Sequence, residues 1–98
     1  MLNRIKENEG RLDNILAIIK ELEIYLDKYN NIEKDIIKIN KYYGSKDWFN
    51  DLKYFENNKT KSIKAGVLSE DAIWNMNEDI KELKNKMKKI INNSYYIN

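Results

Sequence analysis

Leu12, Ile15, Ile19, Leu22 and Leu26 alternate steps of three and four. This spacing lays one apolar stripe along an α-helix, whereas a half-buried strand would need steps of two. Ile5 precedes the stripe and Tyr29 extends it. Beyond Tyr29 it continues through Ile32, Ile36, Ile39 and Tyr43. Leu26–Tyr29–Ile32 makes two steps of three in succession, so the phase slips once, beside Asn30 and Asn31. A local overwinding like a stammer, or a break, would each account for the slip. No proline or glycine interrupts this stretch, so the spacing predicts one continuous helix from about Asn3 to Tyr43. Gly10 lies near its start and costs roughly 1 kcal/mol relative to alanine.

A second strong pattern closes the chain. Ile73, Met76, Ile80, Leu83, Met87 and Ile90 repeat the three-four alternation. Ser69 is a good N-cap, because its hydroxyl can accept from a free first-turn amide. Glu70 and Asp71 place negative charge at the positive end of the helix dipole, and Lys84, Lys86, Lys88 and Lys89 crowd the opposite end. Leu68 and Ile73 have the spacing of a hydrophobic staple. Glu82 and Lys86 form an i,i+4 pair. Asn92 and Asn93 are expected to end the helix.

Between these segments, "YYGSKDWFND" (Tyr42 to Asp51) gathers aromatic residues around a glycine. Gly44 can take the left-handed conformation that stops a helix. Ser45 can cap a short helix carrying Trp48, Leu52 and Phe55 on one side. "NNKTKSIKAG" reads as a loop. The expected architecture is all-α and a single domain over residues 1–98. It has a long N-terminal helix, a short central helix, and a C-terminal helix packed antiparallel on the first, as a helical hairpin or three-helix bundle. About 40 helical residues span roughly 60 Å and about 24 span roughly 36 Å, so the last helix can cover only part of the first. The surplus stripe must be buried by the short helix, by a fold-back at Asn30–Asn31, or by a second copy of the chain in a homodimer.

Composition narrows the chemistry. The 98 residues contain no cysteine and no histidine, which removes disulfides, thiolate nucleophiles, and the commonest general base and metal ligand. The longest apolar run, Ile15 to Ile19, is far shorter than the roughly 18 residues of a membrane span. The amino terminus lacks the apolar core of a signal peptide, so the expected location is the cytoplasm, with no membrane partner. Eighteen Lys and Arg against sixteen Asp and Glu leave a net charge of +2. Heavy use of Asn, Ile and Lys suggests an AT-rich genome, that of a low-GC bacterium or one of its phages.

The pair of motifs "YYGSKDW" and "GVLSEDA" resembles a family of short bacterial proteins known only as a domain of unknown function. The matching positions are Tyr42, Tyr43, Gly44, Ser45, Trp48, Asp51, Gly66, Val67, Leu68, Ser69, Glu70, Asp71 and Ala72. The resemblance covers most of the chain and implies the fold and its topology. It implies no activity. The chain departs from the family pattern in the connector. No proline occurs there, and Ala65 stands where relatives carry a basic residue.

No phosphate-binding loop, nucleophile elbow or metal motif is present. Asp47 and Asp51 lie four apart on one helix face and could hold a cation or act as acid and base. A first-turn acid and a solvated or capping partner explain them more simply. No catalytic residue, metal or cofactor is expected, and the chain is not expected to be an enzyme. Residues 41–68 hold Lys41, Lys46, Lys53, Lys59, Lys61 and Lys64 against Asp47, Asp51 and Glu56. Lys59, Lys61 and Lys64 are therefore the candidates for nucleic-acid or phosphate binding. The expectation favoured over this is a non-catalytic protein-binding module, a small regulator or phage-type inhibitor of a larger host protein or nuclease complex. Tyr42, Lys46 and Asp47 have no structural task that spacing predicts, and Trp74 sits beside its stripe. These four are the candidate partner-binding residues.

Overall fold

The computed structural model describes residues 1–58 and 64–93. In chain order these form α1 (Leu2–Tyr42), α2 (Lys46–Asn58), a single 3₁₀ turn (Gly66–Leu68) and α3 (Glu70–Asn92). There is no strand among the described residues, and the fold is all-α: long, short and C-terminal helices. The chain divides into two units, Met1–Ile37 and Lys38–Asn98.

The first unit is helical from Leu2 onward and belongs wholly to α1, which runs through Asn30 and Asn31 without a break. The sequence explains how. Ile18, Leu22, Tyr25, Tyr29, Ile32, Ile36, Ile39 and Tyr43 form a second series, in which steps of four and three alternate throughout. This series lies one residue, or about 100° of helix rotation, from the stripe through Ile19 and Leu26. The apparent slip is a hand-over from one seam to the other, so the helix need not overwind. Exposure changes along the helix rather than between the seams, since Ile18 and Tyr25 of the second series are 47% and 64% exposed. Tyr29, Ile36 and Ile39 are half-buried, while Leu12, Ile15, Ile19, Leu22 and Leu26 remain between 47% and 55% exposed.

The second unit begins with the last turn of α1. Tyr43 donates its amide to Ile39 O at 2.9 Å, and Gly44 then reverses the chain with φ +76°. A side chain would be strained in that left-handed conformation, which is why glycine serves as the stop. Ser45 joins both helix ends. Its Oγ donates to Tyr42 O at 2.6 Å and accepts from Trp48 N at 3.2 Å. One hydroxyl thus satisfies a first-turn amide of α2 and adds a second donor to Tyr42 O, which also accepts from Ser45 N at 3.0 Å.

α2 runs two residues, Asn57 and Asn58, into the segment that reads as loop. Asn58 donates Nδ2 to Tyr54 O at 2.8 Å, supplying one of the last carbonyls with a donor. Along this helix Trp48 is buried, and Leu52 and Phe55 are half-buried. Gly66–Leu68, which the sequence leaves irregular, forms a 3₁₀ turn closed by Leu68 N to Ala65 O and Ser69 N to Gly66 O, both at 3.0 Å. Ser69 caps α3, accepting from Ala72 N at 3.3 Å. The following Ile73 is 4% exposed and shares the core with Trp48 at 5%. A cross-link also ties the end of α1 to α3. Asn40 Nδ2 donates to Asn77 Oδ1 at 3.1 Å, and Asn77 Nδ2 donates to Asn40 Oδ1 at 2.8 Å.

Candidate functional site

Trp48 organises the region around "YYGSKDWFND". Its ring stands edge-on to Tyr43 with centroids 5.1 Å apart and to Phe49 at 5.0 Å, both interplanar angles being 84°. These are the T-shaped geometries that aromatic quadrupoles favour. The indole Nε1 donates to Val67 O at 3.0 Å, which gives a buried donor its partner and holds the 3₁₀ turn against α2.

Beside this core lies a groove of about 280 Å³, open on one side. Tyr42, Asp51, Tyr54, Phe55, Lys64 and Leu68 are among its walls. Across it, the Tyr42 hydroxyl donates to Asp51 Oδ2 at 2.6 Å. That bond pushes the Tyr42 pKa up from 10.0 to about 12, with burial and the negative charges of Asp51 and Asp47 adding to it. The neutral hydroxyl is the donor that the carboxylate holds, so ionisation would set two anions against each other. The Tyr43 hydroxyl is also held in its neutral form. Burial raises its pKa first, followed by the charge and hydrogen bonding of Glu70 and the charge of Asp71.

The residues singled out from the sequence take different places. Tyr42 has a structural task after all, as donor to Asp51. Asp51 is its acceptor, which accounts for one member of the Asp47–Asp51 pair. Lys46 and Asp47 are exposed in the first turn of α2. Trp74 is 63% exposed, although its neighbour Ile73 is buried, so the two tryptophans of the chain have opposite environments. Lys64 lines the groove. Lys59 and Lys61 lie outside the described residues. Among the described residues, no group of three or more acidic side chains is placed to hold a metal ion. No helix among them is long and apolar enough to cross a membrane.

The sequence reading missed the Val67 carbonyl and the Asn40–Asn77 pair. These partners are 19 and 37 residues apart, and nothing local marks them. It also passed over Phe49 and Tyr54, which are largely exposed on α2. A helical-wheel reading of α2 would have placed both off the Trp48–Leu52–Phe55 side.

The family described as Domain of unknown function (DUF4298) matches residues 5–90. The chain belongs to this family. The DUF4298 match takes in both quoted motifs, and the geometry gives those motifs a physical meaning. Gly44 and Ser45 make the joint between α1 and α2, Trp48 reaches Val67, and Ser69 caps α3. No curated protein and no solved structure matches the chain.

Proposed function

We propose that this DUF4298 chain is a non-catalytic protein-binding module, a small regulator or inhibitor of a larger protein assembly. The observation that supports this reading is the uncovered apolar face of α1 from Leu12 to Leu26. Burial of apolar surface is worth about 25 cal/mol per Å², and contiguous apolar patches of this kind mark interaction surfaces. Exposed Trp74 adds an anchor of the type that dominates interface energetics, and Lys46 and Asp47 supply polar groups near the start of α2.

The experiment is capture from a lysate of the source cell on immobilised wild-type chain, beside Ile19→Asp and Trp74→Ala variants. The reading expects one stoichiometric protein, reduced by at least one of the two substitutions. Capture that neither substitution changes would sink it.

A second reading, nucleic-acid or phosphate binding through the connector 41–68, draws on Lys64 sharing a groove with Tyr54. Cations beside exposed aromatics suit phosphate contact with base stacking. It expects salt-sensitive binding of single-stranded RNA or DNA, lost on replacing Lys59, Lys61 and Lys64 together.

A further inference from the structure

We infer that the uncovered face of α1 is a parallel, in-register pairing surface for a second copy of this chain. This rests on the protein-binding reading, names a second copy as the occupant of this seam, and leaves exposed Trp74 and the start of α2 to the larger partner.

The first seam can be written as a heptad. Ile5, Leu12, Ile19 and Leu26 take the a positions, and Asn8, Ile15 and Leu22 the d positions. Three successive heptads with one polar member is the pattern of a helix that pairs along its length. All the apolar members are between 47% and 55% exposed in the single chain.

Charge favours a parallel pair through a single flanking contact. In a parallel in-register pair, each g position faces the e position five residues on in the other copy. Arg4 then meets Glu9 of the second copy, and by symmetry the contact occurs twice. An antiparallel pair centred on the Ile15 and Ile19 layers would instead bring Glu9 against Glu23 of the second copy, also twice, which is repulsive.

The polar layer points the same way. A parallel pair sets Asn8 opposite Asn8 of the second copy, and an antiparallel pair sets it opposite Leu26. Asn8 donates Nδ2 to Arg4 O at 2.8 Å and accepts from Arg11 at 3.1 Å. One amide hydrogen and one lone pair are left for a reciprocal bond between the two amides. A shifted register would set this amide against an apolar side chain and leave it unpaired, so the layer favours the in-register pair.

The test is sedimentation equilibrium on the full chain, with cross-linking to report direction. The wild type should sediment at twice 11.8 kDa, and Ile19→Asp at the monomer mass with its helical circular dichroism kept. Arg4→Glu should weaken the dimer roughly tenfold, and Arg4→Glu with Glu9→Arg should restore it. The chain has no cysteine, so Asn8→Cys under mild oxidation should give a disulfide-linked dimer. A monomeric wild type overturns the proposal, as does a dimer that Arg4→Glu leaves unchanged or that Asn8→Cys does not link. A monomer whose lysate capture is still lost in Ile19→Asp overturns the self-pairing alone. A monomer whose capture is untouched by both Ile19→Asp and Trp74→Ala overturns the protein-binding reading as well.

Discussion

The Tyr42 hydroxyl and the Asp51 carboxylate meet at 2.6 Å and join the last turn of α1 to the middle of α2. The folded state therefore holds Tyr42 protonated to a pKa of about 12, above the 10.0 of a free tyrosine. A raised folded pKa means that the bond's stabilisation is fully present below about pH 10. It is lost as pH climbs from there through about 12. Tyrosinate absorbance in alkaline titration should show one residue titrating near 12, and Tyr42→Phe should remove that component. Tyr42→Phe should also lower stability at neutral pH by about 1 kcal/mol, measured by urea unfolding.

The Ser45 hydroxyl serves two helix ends at once. Ser45→Ala should cost about 1 kcal/mol, the usual value for one cap, because the Trp48 amide loses its acceptor while Tyr42 O keeps the Ser45 amide at 3.0 Å. Gly44→Ala should cost about 1 kcal/mol. Here strain at φ +76° is the cause, since a Cβ at this position would meet no atom within 4 Å. Shifts in the urea midpoint at constant slope would check both.

The two tryptophans should report separately. Trp48 is 5% exposed and Trp74 63% exposed. Acrylamide or iodide should quench the wild-type emission in part. Trp74→Phe should abolish the accessible fraction and shift the remaining emission to the blue. Trp48→Phe should leave a fully quenchable signal, and should destabilise the fold by leaving the Val67 carbonyl without its donor.

Asn40 and Asn77 exchange two hydrogen bonds, so their contributions should not add. A double-mutant cycle with Asn40→Ala and Asn77→Ala should give a coupling of about 0.5–1 kcal/mol in urea unfolding. A coupling near zero would mean that solvent replaces both amides at no cost.

Much of the fold was legible because helices are specified locally. The three-four steps, the left-handed Gly44, the Ser45 and Ser69 caps and the buried Ile73 all follow from residues within a turn or two of one another. Even the question at Asn30–Asn31 has a sequence answer, in the second seam from Ile18 to Tyr43. The candidate site was less legible. Tyr42 looked free because its acceptor Asp51 is nine residues away across a turn whose geometry spacing does not give. Spacing already set Trp48 on the apolar side of the short helix and Trp74 beside its stripe, and the structure adds that they are 5% and 63% exposed.

The sequence by itself determined that this chain is helical, where α1 stops, where α3 starts, and that α1 carries more apolar surface than one face needs. Those are matters of period, capping and backbone freedom, which act over one to four residues. Only the tertiary structure decided that Trp48 donates to Val67, that Asn40 clasps Asn77, and that Tyr42 is held by Asp51. Such pairings depend on the path of the chain between distant residues. The same side chains, placed at the same helical spacing, would satisfy that spacing with or without them.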